Sequence, residues 1–318
     1  VAAVELLVAA AEPEAAEAAV ERRCGGLERG RDGWWRGAGA DGRAVALRVV
    51  AAAAAAPALL WATGSEAHLA ALVRQARSQG YELDEAGLRR GGEALVAPNE
   101  AAIYEALGCH WVPPELREDG TEVALAAAGR LPELVEPGDL VGALHNHTTD
   151  SDGLASLAEM AAAAAELGLS YLGIADHSPA ASYANGLDAA RLREQWRRMD
   201  ELNAGGGPLR LVKGLEADIL GDGSLDIPEG CEAGLDYVVA SVHSAFRLDE
   251  AAQTARIERA VAHPACRVLG HPTGRLLLAR PGYAVDLERV LAACTEHRVA
   301  AEINASPYRL DLDWRWAR

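Results

Sequence analysis

In the second half of the chain, histidines and a glutamate recur where short apolar runs end. His145 and His147 follow the run at 141–144, His177 follows 171–175, and Glu216 follows 209–215. His243 and His271 follow 237–242 and 267–270 in the same way. Imidazole nitrogen and carboxylate oxygen together suit borderline metals such as zinc, manganese and iron. On extended backbone the two rings of His145-Asn146-His147 fall on one face, so both can reach one ion. Asp152, in the loop at 148–153, can swing back to a second ion, and Glu216 has two oxygens with which to bridge a pair. Asp176, beside His177, is placed to orient a ligand. A single histidine at a strand end is more often a structural residue, and His68, His110, His263 and His297, which lie off these ends, are read that way. Five histidines and a glutamate at successive strand ends are not explained by packing, because so many unpartnered imidazoles are costly to bury.

The elements that must position these residues are legible as a repeating pattern. The runs above, with a further one at 299–303, read as buried parallel strands. Helical stretches at 154–167, 188–202, 250–262 and 286–297 alternate with them. Such alternation predicts βα units and a parallel sheet, open or closed into a barrel. In βα barrels the C-terminal strand ends share one mouth, so a single ring of strand ends would gather the whole set. Before this pattern, Trp111-Val112-Pro113-Pro114-Glu115 is proline-rich, and Glu136-Pro137-Gly138-Asp139 supplies turn chemistry. A linker is expected at 113–140, with a different architecture at 1–112.

Composition bounds the partners. The 318 residues suffice for two domains, each with its own core. A formal net charge of −17 argues against broad adhesion to nucleic acid. It leaves a nuclease open, since bound divalent cations reverse the field inside a site. Lys213 is the only lysine, and with the alanine excess this reads as GC-rich coding. The five scattered cysteines read as reduced thiols. No basic segment leads into an apolar signal, and no apolar run reaches membrane length, so a cytoplasmic protein with no membrane partner is expected. The first residue is Val1, which suggests a start inside a longer chain.

Leu144-His145-Asn146-His147-Thr148-Thr149-Asp150-Ser151-Asp152-Gly153 resembles the first motif of the PHP (polymerase and histidinol phosphatase) domain. Ala175-Asp176-His177-Ser178, Gly214-Leu215-Glu216-Ala217-Asp218-Ile219, Ser241-Val242-His243-Ser244 and Gly270-His271-Pro272-Thr273-Gly274-Arg275 look like its later motifs, in order. The resemblance, over 141–318, implies an α/β fold, a distorted (β/α)7 TIM-like barrel. It further implies a centre of two or three divalent ions (manganese, zinc or iron) that hydrolyses phosphoesters. His145, His147, Asp152, His177, Glu216, His243 and His271 are the expected ligands. A final Asp-x-His pair of the family pattern is not found before Arg318, so the domain is expected to be cut short.

The first third narrows the family. Trp61-Ala62-Thr63-Gly64-Ser65 resembles the Tyr-Phe-Thr-Gly-Ser region of family X DNA polymerases. Ile103-Tyr104-Glu105-Ala106-Leu107-Gly108 with Pro113-Pro114-Glu115-Leu116-Arg117-Glu118 resembles the segment that joins such a polymerase to a PHP domain in the bacterial PolX family. Residues 1–112 are thus expected to be an α+β palm-and-thumb-like region. Two-metal nucleotidyl transfer needs clustered carboxylates. Ala3 and Ala46 stand at the family's aspartate positions, and only Glu5 keeps a carboxylate. Templated polymerase activity is therefore expected to be lost.

The expected function is metal-dependent phosphoester hydrolysis on DNA, as a manganese-stimulated 3′–5′ exonuclease acting on 3′ ends, gapped or single-stranded. Arg275 is the candidate phosphate clamp, since guanidinium matches phosphate oxygens in a bidentate fork; a surface arginine capping its loop is the plain alternative. The rivals are a small-molecule phosphatase of the histidinol-phosphate type and a non-catalytic DNA-binding scaffold.

Overall fold

The computed structural model describes residues 4–39 and 42–317. The chain divides into two units, Val1–Leu134 and Val135–Arg318. In the first, β1 (Val4–Ala10) leads into α1 (Pro13–Arg23), whose proline sits in the first turn, where a missing N–H costs nothing. β2 (Leu27–Arg29), β3 (Trp34–Ala38) and β4 (Ala44–Ala51) follow, in the sheet order β1-β4-β3-β2. β1 pairs parallel with β4, which sets exposed Glu5 opposite buried Ala46. Ala3 lies outside the described residues.

Two helices, α2 (Ala55–Thr63) and α3 (Glu66–Ser78), come next; Ser65 caps α3 by accepting from the His68 N–H. The antiparallel β5 (Glu82–Asp84), β6 (Gly87–Arg90) and β7 (Glu93–Leu95) precede α4 (Glu100–Ala106) and α5 (Thr121–Ala127). Leu60, Leu72, Ile103, Tyr104, Val112, Leu116 and Val123 share one core. Each leucine-sized side chain so buried contributes about 1.5–3 kcal/mol. The linker expected at 113–140 is corrected by this core. Leu116 and Val123 are part of it, Leu131 packs against it, and Arg117 is fully buried against Glu100, so the proline-rich segment and α5 are packed structure while 132–140 are exposed.

The second unit is built from consecutive parallel βα steps. β8 (Gly142–Ala143), α6 (Leu157–Glu166), β9 (Tyr171–Ile174), α7 (Ala189–Ala204) and β10 (Arg210–Lys213) form its first part. β11 (Glu216–Asp218), β12 (Val238–Ser241), α8 (Glu250–Val261), β13 (Cys266–Leu269), α9 (Leu287–His297) and β14 (Ala300–Ala301) complete it. Ladders run β10-β9-β8 and β11-β12-β13-β14, all parallel. A parallel bridge between His177 and Glu216 joins the two sheets. β10 and β11 are thus one strand interrupted at 214–215, and the strands stand side by side in chain order. This mixed α/β architecture is consistent with the expected distorted barrel; among the described residues no ladder joins β14 to β8.

The helices begin where short polar side chains cap them. Ser156 and Glu159 form a reciprocal capping box on α6; Asp188, Asp249 and Asp286 cap α7, α8 and α9. The cap at Ser156 explains why α6 starts later than the expected residue 154. Under the strand ends, the Tyr237 ring fills the sheet interior and its hydroxyl donates to Leu144 O. Glycine is required beside it: a Cβ on Gly173 would lie 2.2 Å from that hydroxyl. No described helix is long and apolar enough to cross a membrane.

Candidate metal centre

Apart from Asp152, which lies in the loop between β8 and α6, each expected ligand sits just past, or at the start of, a short strand, and the parallel order turns their side chains toward one point. That point is Glu216, 1% exposed. Its Oε1 lies 3.0 Å from His145 Nε2, 3.3 Å from His243 Nε2 and 3.1 Å from His271 Nε2. Its Oε2 lies 3.0 Å from His177 Nδ1 and 3.5 Å from His147 Nε2. The imidazoles close a ring around it. Successive centroids are 5.3 Å (His145 to His147), 4.5 Å (His147 to His177), 5.1 Å (His177 to His243), 5.2 Å (His243 to His271) and 5.9 Å (His271 to His145). Asp152, half-exposed at the mouth, reaches within 3.5 Å of His147 Nδ1 and 3.6 Å of His177 Nε2.

Two carboxylates that sequence reasoning passed over set the ring orientations. Glu302 Oε1 is 2.7 Å from His145 Nδ1, and its other oxygen accepts the His271 N–H at 2.7 Å. Asp218 Oδ1 is 2.7 Å from His243 Nδ1. A proton held on Nδ1 by a carboxylate leaves the Nε2 lone pair of His145 and of His243 directed at the centre, as a metal ligand requires. Both carboxylates carried a readable signal. Glu302 interrupts the apolar run at 299–303, just past β14, and Asp218 is two residues past Glu216, on the same strand face. Glu302 also spans from β14 to the end of β8, where no backbone ladder runs.

Asp176 does not orient a histidine. Its buried carboxylate accepts from Thr148 N–H at 2.7 Å, Thr148 Oγ1 at 2.6 Å, Gln195 Nε2 at 2.6 Å and the Ser151 hydroxyl. It therefore pins the loop that carries Asp152. Arg275 is also corrected by its contacts. Its Nε donates to Arg309 O at 3.0 Å, another guanidinium nitrogen to Leu310 O, and a third pairs with Asp313 at 3.2 Å. The fork that would hold a phosphate is committed to bracing residues 309–313.

Charge in the cluster follows from crowding. Burial pushes His145 and His243 down, but Glu216 with Glu302, and Asp218 with Glu216, outweigh it and bring them to about 10 and about 9. Burial holds His147 and His271 below the ordinary histidine value despite Glu216. Glu216 is held well below the carboxylate range, burial notwithstanding, by the surrounding imidazoles. His271 keeps a buried Nδ1 with no hydrogen-bond partner, while the buried Nδ1 atoms of His147 and His177 face only carboxylate oxygens, Asp152 at 3.5 Å and Glu216 at 3.0 Å, outside hydrogen-bond geometry. Imidazole nitrogens so placed around one carboxylate are costly in a closed core and are what a metal site needs. Three overlapping donor sets each lie within 4.8 Å: His145, His147 and Glu216; His147, Asp152 and His177; His177, Glu216 and His243. The residues present fit divalent ions.

A ring of histidines at parallel strand ends, closed around a buried carboxylate, defines the class of metal-dependent hydrolases built on βα repeats. Residues 143–306 match the PHP domain, a metal-dependent phosphoesterase domain, and the chain belongs to the PHP family. Residues 58–118 match the DNA polymerase beta thumb. The chain is 39% identical over 252 residues to a Bacillus subtilis protein named DNA polymerase/3′-5′ exonuclease PolX, covering 79% of this chain and 44% of that protein. It is 30% identical over 169 residues to a probable phosphatase of Thermoanaerobacter, covering 52% of this chain and 64% of that one. The chain thus spans less than two thirds of either relative. A solved Leishmania infantum polymerase beta ternary complex aligns over 34% of this chain and 56% of that one, at 21% identity and a TM-score of 0.28, too low to bear on the fold.

Proposed function

We propose that the second unit hydrolyses phosphodiester bonds at DNA 3′ ends, releasing nucleotides from the terminus as a manganese-stimulated 3′–5′ exonuclease. The observation that carries the hydrolytic reading is the closed ring of five imidazoles around Glu216. DNA as substrate is supported by the thumb match and by the PolX relative. His145, His147, Asp152, His177, Glu216, His243 and His271 would hold two or three ions, manganese, zinc or iron. When bound, these ions supply Lewis-acid activation of water and neutralise phosphate charge. The chain's own residues do the rest. Glu302 and Asp218 fix the imidazole tautomers, and Asp176 holds the loop of Asp152 over the mouth. Buried Glu216 would supply the central negative charge for holding cations there. We place this activity in the cytoplasm, with gapped or single-stranded 3′ ends as partners.

The first unit is read as a palm-and-thumb region that contacts DNA without polymerising. In the β1–β4 pair, Glu5 faces Ala46, so the carboxylate cluster that two-metal transfer needs is not assembled there among the described residues. A second reading, a phosphatase of small phosphomonoesters, is favoured by the Thermoanaerobacter relative.

The deciding experiment incubates the protein with manganese and a 5′-labelled primer–template. Stepwise shortening that vanishes in His145→Ala supports the nuclease. An uncut primer together with phosphate release from small monoesters moves the assignment to the phosphatase.

A further inference from the structure

The turn Ser182–Ala184 after β9 carries one large side chain that packing does not explain. Ala181 and Ala184 are buried, at 0% and 2% exposure, whereas Tyr183 between them is 71% exposed. The turn is rigidly held. Ala181 N–H bonds Ser178 O at 3.1 Å, Ala184 N–H bonds Ala181 O at 2.9 Å, and Leu187 N–H returns to His177 O at 2.8 Å. Asn185, left-handed at φ 58°, donates its side-chain amide to Asp150 O at 3.0 Å and is itself held by Arg191. The fold therefore orders this backbone and presents a bare phenol ring to solvent. Its place is specific: the ring centroid lies 6.1 Å from His177 and 6.3 Å from His243, tilted against the first and edge-on to the second.

An exposed aromatic face costs free energy in water and recovers it by covering a flat partner. Any phosphoester seated among the imidazoles has its neighbouring group within reach of this ring. A nucleobase is the group on a nucleic acid with the matching π-face, and stacking accepts every base. Resting on the nuclease reading above, we propose that Tyr183 is the stacking platform for the base of the 3′-terminal nucleotide, positioning that nucleotide's phosphodiester over the histidine ring. Tyr183 binds substrate through its face, and its hydroxyl is not required.

The test is steady-state cleavage of two single-stranded oligonucleotides in manganese, alike except that one ends in a normal 3′ nucleotide and the other in a baseless tetrahydrofuran residue. For the normal end, Tyr183→Ala is expected to raise KM about tenfold while kcat stays within about twofold, and Tyr183→Phe to match wild type. For the baseless end, wild type and Tyr183→Ala are expected to coincide. An equal penalty on both substrates, or none on either, overturns the proposal. A parallel titration in calcium with 2-aminopurine at the 3′ end reads stacking without turnover. Quenching in wild type and Tyr183→Phe but not in Tyr183→Ala supports it, and no quenching in wild type overturns it. Wild-type protein that cuts neither oligonucleotide yet hydrolyses a small phosphomonoester sinks the nuclease reading itself. Cutting that ignores Tyr183 sinks only the platform.

Discussion

Each unit of this protein buries histidine against glutamate, and the two arrangements differ in what is left over. In the first unit His68 is fully buried with both nitrogens occupied, Nδ1 by Glu122 at 2.7 Å and Nε2 by the Tyr104 hydroxyl at 2.8 Å. In the second unit one glutamate is shared among five imidazoles, and the buried Nδ1 of His271 has no partner. A saturated histidine braces helices; an unsaturated ring of them awaits a ligand. Burial alone does not separate structure from function here, whereas the accounting of hydrogen-bond partners does.

That contrast can be broken most sharply at its centre. Glu216→Ala is expected to reduce bound metal and phosphoesterase activity by more than about a hundredfold, the upper range for losing a mere orienting partner. Elemental analysis beside kinetics checks it, and a variant that keeps its metal defeats the ligand assignment. Glu302→Gln and Asp218→Asn keep the ligands but release the Nδ1 protons of His145 and His243. Each is expected to weaken metal binding by about 10–100-fold, read by calorimetric titration. In the first unit, His68→Ala strands Glu122 and is expected to destabilise that unit by about 3 kcal/mol in denaturant unfolding, with metal content unchanged.

Protons sharpen the same comparison in chelated protein. Burial lowers the affinity of His68 for its proton below the ordinary value of 6.5, so the unfolded chain binds that proton more tightly. Stability of the first unit is then expected to fall as pH drops below about 6.5. His145 and His243 are raised to about 10 and about 9, so their contribution is full below about 6.5 and lost as pH climbs through those values. Hydrogen exchange across pH, read separately on α3 and β12, should show opposite slopes; parallel slopes would refute the contrast. The smallest expected effect is none at all: adding nucleotides to the manganese reaction leaves the primer unextended. Extension would show that β1 and β4 still assemble a polymerase centre.

The strand ends made most of the centre legible. His145, His147, His177, Glu216, His243 and His271 were found by one rule, that polar residues ending apolar runs meet at one mouth. Glu302 escaped it because it lies inside the last run, one residue before Ile303. Arg275 and Asp176 were read from side-chain type and adjacency instead, and a side chain's type announces what it can bond and not what stands beside it. Arg275 braces 309–313, and Asp176 collects the loop of Thr148 and Ser151. Proline and charge marked 113–140 as a linker, yet Leu116, Val123 and the Arg117–Glu100 pair fold its first part into the first core, while 132–140 are exposed.

What the sequence determined by itself is periodic and local: which runs are strands, where helices are capped, and which residues stand at strand ends. Those follow from the geometry of a few neighbouring residues. Only the tertiary structure decided which imidazole nitrogen is held by a carboxylate and which is left open, and that Tyr183 hangs over His177 and His243. Those are meetings of side chains far apart in the chain, 157 residues for His145 and Glu302, and no local pattern encodes a partner at that distance.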